Sequence, residues 1–99
     1  MSNYIITEKA LDDINNIWKY TAKKWSVEQA NRYYNLLIDE IEYVANNFET
    51  ARDFGYVRKF YKYSKVKSHL IFFKLNKRNE IEVIRVLHER MDIENRLRE

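Results

Sequence analysis

Nine residues in the C-terminal half carry the side chains that could do chemistry: Arg58, Lys59, Tyr61, Tyr63, Lys67, His69, Arg85, His88 and Arg90. All are cationic or aromatic. Arg and Lys stabilise the charge that builds on a phosphate under attack, and a His, Tyr or Glu can move a 2′-hydroxyl proton, so such a set could cut RNA. The same set could instead be a docking surface for a protein or for DNA. For His69 alone, a hydrogen-bonded structural role is the expected one; for His88 the two roles stand level. Other chemistries lack their parts. There is no Cys, and His69 and His88 lie nineteen positions apart with no ligand pattern around them, so neither a metal nor a cofactor is expected. One glycine in the whole chain leaves no Gly-rich phosphate loop, and Ser64 and Ser68 sit in no nucleophile motif.

Arg85 stands out within that set. Ile81–His88 reads as a buried central strand, β-branched and apolar apart from Glu82 and Arg85. Simple alternation puts Ile81, Val83, Arg85 and Leu87 on one face and Ile84, Val86 and His88 on the other. A guanidinium between Ile84 and Val86 needs partners or an open face. An ion pair with Glu89, Asp92 or an acid of the first helix is the structural reading; a functional role is favoured over it, because burying Arg must be compensated.

The elements that must position these residues follow from the pattern upstream. Asn3–Thr7 is a short apolar strand ending in Thr7, a helix N-cap with Glu8 well placed in the first turn. A helix to about Lys24 carries Leu11, Ile14, Trp18, Thr21 and Trp25 at helical spacing, with Ile17 beside them. Ser26-Val27-Glu28-Gln29 has the form of a capping box opening a second helix, about Val27 to Asn47. Its buried stripe is read as Ala30, Tyr34, Leu37, Ile41, Val44 and Phe48, flanked by Tyr33 and Ile38. The tight break at Trp25-Ser26 makes the two helices an antiparallel hairpin. Glu49–Gly55 is a loop, with Gly55 expected at positive φ. Three strands follow, Tyr56–Tyr63, Val66–Leu75 and Ile81–His88, the last two joined through Asn76–Asn79, where Asn can take the left-handed conformation. Asp92–Glu99 is a short helix resting on Leu97 and Ile93. The result is a single α+β domain, residues 1–99: an antiparallel β-sheet with an N-terminal α-helical hairpin on one face, in the order β-α-α-β-β-β plus a short C-terminal helix. The neighbour of the first strand cannot be read from local spacing.

Composition agrees with one packed domain, at 99 residues with 45% hydrophobic and 15% aromatic content. The absence of Cys suits a reducing cytosol, and the N-terminus offers neither a signal-peptide core nor a membrane span, so a cytoplasmic protein is expected. The formal charge of +3 is unevenly spread. Residues 1–48 hold five Lys/Arg against seven Asp/Glu, and residues 49–99 hold thirteen against eight. Gly55–Asn79 contains eight cations and no acid. Such a segment points either to an anionic partner or to strand edges kept soluble by Lys.

The run Ile84-Arg85-Val86-Leu87-His88-Glu89-Arg90-Met91-Asp92 resembles the C-terminal signature of the ParE branch of the RelE/ParE toxin superfamily. Ser68-His69-Leu70-Ile71-Phe72-Phe73 resembles its preceding strand. Ala10–Ile14, Ile17-Trp18, Tyr20-Thr21, Trp25 and Gln29-Ala30 with Tyr33 or Tyr34 resemble its helical hairpin. The loop before Gly55 departs from the family in lacking proline.

The resemblance implies the toxin of a type II toxin–antitoxin pair, with the same element order. For ParE-like members it implies poisoning of DNA gyrase without chemistry by the toxin, and a cognate ParD-like antitoxin that blocks it in a hetero-oligomer. For RelE-like members it implies a ribosome-dependent mRNA endoribonuclease. The Leu-His-x-Arg-Met-Asp ending and the helical tail favour the ParE form. On that reading the target-binding candidates are Arg58, Tyr61, Arg85, His88, Arg90, Met91 and Asp92, and there are no catalytic residues. On the nuclease reading the candidates are Lys59, Lys67, His69, Arg85 and His88. Trp18, Trp25 and Tyr33 are candidates for apolar edges covered by the antitoxin.

Overall fold

In the computed structural model the described residues are 4–55 and 58–98. They form β1 (Tyr4–Ile6), α1 (Glu8–Lys24), α2 (Val27–Asn46), a single 3₁₀ turn (Phe48–Thr50), β2 (Arg52–Asp53), β3 (Lys62–Val66), β4 (His69–Leu75), β5 (Ile81–His88) and α3 (Ile93–Leu97). Both helices of the hairpin start at the expected caps. The Thr7 hydroxyl accepts the Ala10 amide at 3.2 Å, and the Ser26 hydroxyl accepts the Gln29 amide at 3.0 Å. Each satisfies an amide with no partner inside the helix. Among the described residues no helix is long and apolar enough to cross a membrane.

The sheet order is β1-β5-β4-β3-β2. The first strand finds its neighbour in β5 and runs parallel to it, with Tyr4 opposite Ile81 and Ile6 opposite Val83. The sheet is therefore mixed, antiparallel everywhere except at this edge. The helical hairpin separates β1 from the other strands, and such a crossover is what lets two strands pair in parallel.

The strand expected over Tyr56–Tyr63 is not formed as such. Tyr56 lies outside the described residues, residues 58–61 make a turn with Phe60 at φ 70°, and the strand begins at Lys62. The run expected over Val66–Leu75 is split. Lys67, at φ 51°, and Ser68 make a two-residue hairpin turn, with Val66 opposite His69. Without Gly or Asn, that turn carries no local signal. Asn79 takes the left-handed conformation at φ 63° as expected, whereas Gly55 does not; its amide instead donates to Asp53 Oδ1 at 2.9 Å.

Two apolar layers hold the sheet. Ile14 of α1 and Leu37, Ile41 and Val44 of α2 pack on Ile71, Phe73, Val83 and Val86. On the opposite face, Phe72 and Leu87 are covered by Tyr61 and by Leu97 of α3. The short helical tail thus rests on Leu97 and Ile93 as expected. The stripes of the hairpin differ from expectation. On α1 the buried residues are Ala10 and Ile14 with Ile17 alongside, while Leu11 is 45% and Trp25 65% exposed. On α2, Tyr33 packs against the core while Tyr34 faces out.

Alternation along β5 also fails at one place. Phe72 of β4 faces Arg85 but Phe73 faces Val83, so one extra residue is inserted near Ile84. This bulge puts Val83 and Val86 in the same layer and sends Ile84 and Leu87 to the other. The simple two-face division of the strand is corrected accordingly.

Ser64 of β3, opposite Ile71, is buried, and its hydroxyl has no hydrogen-bond partner among the described residues. Ser64→Ala is expected to leave stability unchanged or to raise it, because it removes an unsatisfied polar group; urea unfolding of the two proteins checks this.

Candidate functional site

The bulge in β5 is held from α1. Asp13 accepts from Arg85 Nε at 2.7 Å and from Arg85 Nη2 at 3.0 Å, a bidentate pair, and its Oδ2 also accepts the Val86 amide at 3.0 Å. Arg85 Nη1 donates to the Arg96 carbonyl of α3 at 3.0 Å. Side-chain exposure is 11% for Arg85 and 14% for Asp13, so the pair is largely shielded from water. Arg85 therefore ties α1, β5 and α3 together, and its partner is the acid on the first helix rather than Glu89 or Asp92. The sequence offered an acid of the first helix as one partner but did not single out Asp13. The available signal was its position: Ala10, Asp13, Ile14 and Ile17 share one helical face, and an acid on a buried face requires a cation opposite.

Beyond the bulge, β4 and β5 bring two histidines side by side. His69 and His88 are directly opposite, with ring centroids 5.3 Å apart and planes nearly perpendicular. Tyr33 of α2 reaches the same spot, its hydroxyl 2.7 Å from His69 Nδ1 and 3.0 Å from the Val66 carbonyl. A phenol has one proton, so one arrangement satisfies both contacts: Tyr33 donates to Val66, and His69 Nδ1–H donates to Tyr33. His88 Nδ1 accepts the Arg90 amide at 3.1 Å, which leaves its Nε2 carrying the proton in the neutral ring. Burial, with the charge of His88 second and partly opposed by Glu89, pushes His69 down to about 4, and burial holds the Tyr33 phenol up at about 12.

A stability prediction follows. The folded protein keeps His69 neutral, whereas the unfolded chain takes up its proton below about pH 6.5. This contribution is flat above that value and is lost as pH falls from about 6.5 to about 4. His69→Asn keeps a donor near the Nδ1 position and removes the titration. Its urea midpoint should vary less over that window than that of the parent.

The histidine pair, Arg85, Tyr20, Met91 and Arg96 border an open groove of about 530 Å³. The other cationic candidates lie elsewhere. Lys59 stands in the turn before β3, while Lys67 stands in the turn after it. Lys62–Val66 is five residues long, about 13 Å from end to end at the usual rise along a strand. Arg58 stacks on Tyr61, 5.6 Å from the ring centroid, on the α3 side of the sheet, and Tyr61 itself is buried there. The exit segment after β5 is a tight turn: the Met91 amide donates to the His88 carbonyl at 2.9 Å. Arg90, Met91 and Asp92 are exposed on it, and Asp92 caps α3, accepting the Asn95 amide at 3.4 Å.

The three candidates on the helical hairpin part ways. Trp25 is largely exposed, next to Lys24. Trp18 is half-buried and donates through Nε1 to Asn31 Oδ1 at 2.9 Å. Tyr33 is engaged with His69 and Val66, and its ring also lines a groove with Trp25, Leu36 and Lys67. Leu36, at 43% exposure, and Tyr20, at 62%, belong to this outer surface and were not among the expected residues.

Residues 4–93 match the family described as "ParE toxin of type II toxin-antitoxin system, parDE". The chain belongs to the ParE toxin family. It is the toxin half of a type II toxin–antitoxin system, as the C-terminal signature led one to expect. Toxin ParE1 of Mycobacterium tuberculosis is 32% identical over 96 residues, covering 97% of this chain and 98% of the relative. Toxin ParE1 of Caulobacter vibrioides is 33% identical over 92 residues, covering 93% and 94%. A solved structure described as "Chromosomal ParDE TA system from P. aeruginosa" shares the fold, with a TM-score of 0.77 at 13% identity, covering 89% of this chain and 96% of that one. The α+β order inferred for this ParE-family chain is that fold, with the parallel β1 edge added.

Proposed function

We propose that this toxin arrests growth by binding DNA gyrase in the cytoplasm, through its exit segment and without chemistry of its own. A ParD-like antitoxin neutralises it in a hetero-oligomer. The observation that carries this reading is that most of the nuclease candidates are either tied to other side chains or set apart from one another. Arg85 is bound to Asp13, His69 is tied to Tyr33, and Lys59 and Lys67 sit at opposite ends of β3. General acid–base catalysis needs such groups within hydrogen-bond reach of one reacting point. Arg90 and Met91, by contrast, stand exposed next to one another. Purified toxin should inhibit gyrase supercoiling or trap cleaved DNA, and the antitoxin should reverse it. Unaffected gyrase at large molar excess of a folded toxin would falsify the proposal.

The antitoxin reading draws on the groove lined by Trp25, Tyr33, Leu36, Arg32 and Lys67. Apolar walls with two cations suit a segment rich in apolar and acidic residues, folding as it binds.

One observation favours the ribonuclease reading: the His69–His88 pair opens on the groove that Arg85 and Arg96 border. What stops first in cells separates the two. Translation should stop first for a nuclease; for a gyrase poison, replication should stop first, with a DNA-damage response.

A further inference from the structure

We propose that a basic groove between α1, the turn at 58–61 and α3 holds the phosphate backbone of duplex DNA when the toxin sits on its target. The groove, about 360 Å³, lies at the start of α1 and is distinct from the one beside the histidines. Lys9 of α1, Arg58 of the turn and Arg98 at the end of α3 line it, three cations from three elements far apart in the chain. Its floor is Tyr61, Ile84 and Leu97. Arg58 lies over the Tyr61 ring, an arrangement that leaves the edge of a guanidinium open for hydrogen bonding. Lys9, Arg58 and Arg98 are all exposed. Arg85 also borders the groove, but Asp13 neutralises it.

Charge complementarity selects the occupant. Arg58 opens the 55–79 segment, with its eight cations and no acid. The acids at the groove are Glu8 and, in the adjoining cleft shared by Arg58 and Arg98, Glu94. Three arginine or lysine heads on a narrow apolar floor fit spaced phosphates, which position a protein on nucleic acid without reading sequence. The inference rests on the gyrase reading for its setting, since a gyrase complex already holds duplex DNA. It adds a contact from toxin to DNA that the protein–protein reading does not require.

The test is fluorescence anisotropy of a labelled DNA duplex titrated with toxin at several salt concentrations, alone and with gyrase. Three phosphate contacts predict a slope of log K against log salt of about −2.7. Arg58→Gln/Arg98→Gln should reduce that slope to about −1 and weaken duplex binding at low salt by roughly tenfold or more. Both variants must melt at the parent temperature. Lys23→Gln/Lys24→Gln changes the net charge equally, but at the far end of α1, roughly 20 Å away at 1.5 Å per residue. It should bind DNA like the parent. Equal loss in both double variants, which would indicate diffuse charge only, overturns the proposal. So does absence of duplex binding by the parent at low salt, or tighter binding to an RNA duplex of the same length. The two readings fail separately. If gyrase is inhibited while the Arg58/Arg98 variant keeps the parent's salt slope, the groove is wrong and the target stands. If the duplex is bound through these residues but gyrase is ignored, the target is wrong and the groove stands.

Discussion

Replacing Asp13 by alanine is expected to destabilise the protein by about 3–5 kcal/mol, although it removes only one acid from the surface of a helix. Asp13 does two jobs at once. It neutralises Arg85 through two hydrogen bonds, and it accepts the Val86 amide that the β5 bulge leaves in need of a partner. Alanine takes two charge-assisted hydrogen bonds from a shielded guanidinium and removes the Asp13 acceptor from a backbone donor. Arg85→Ala should cost a comparable amount for the mirror-image reason, since it strands Asp13 and drops the link to the Arg96 carbonyl. The two losses are coupled. The double variant should therefore be clearly less destabilised than the sum of the singles, by about 1–3 kcal/mol. Urea unfolding of the four proteins measures this. Additive losses would mean that Asp13 and Arg85 act on separate parts of the fold.

A functional role for Arg85 looked preferable from the sequence because burying Arg must be compensated, and an acid of the first helix was only one of several possible partners. The reason lies in how the two levels of structure communicate. Strand alternation is local, but a bulge depends on the register with β4 and on a side chain arriving from α1, 72 positions earlier in the chain. The caps at Thr7 and Ser26 were legible because each capping bond spans three residues. The limits of β5 were legible too, because a β-branched run between charged residues has few alternatives. The turn at Lys67-Ser68 was not, since Lys67 takes the left-handed conformation that a two-residue hairpin usually gives to Gly or Asn. The parallel pairing of β1 was illegible for the same reason as Asp13: its partner lies almost at the other end of the sequence. Of the candidate site, proximity of His69 to His88 follows from hairpin register, but Tyr33 joins them only through tertiary packing.

In the exit segment, Arg90→Glu combined with Met91→Ser is expected to abolish growth arrest while leaving the fold intact. Both residues are exposed, and the bonds that anchor them use their backbone: the Arg90 amide donates to His88 Nδ1 and the Met91 amide to the His88 carbonyl. Surface changes of this kind usually shift stability by no more than about 0.5 kcal/mol. Removing a central apolar contact and reversing a charge at an interface can together cost several kcal/mol of binding, about a thousandfold or more in affinity. Cutting the chain after Leu87 is a poorer test. It would strip Leu97 and Ile93 from the layer over Phe72 and Leu87 and remove the Arg96 carbonyl from Arg85. Lost toxicity in such a truncation would then report a damaged core, since burial of one such leucine alone contributes about 2 kcal/mol or more. The point variants avoid this. A thermal melt, an antitoxin pull-down and a growth assay on the same preparation separate the outcomes. An intact melt and retained antitoxin binding with no arrest place the target contact at Arg90 and Met91. Full toxicity in the folded double variant moves that contact to another surface, with the groove at Arg58 and Arg98 the next to examine.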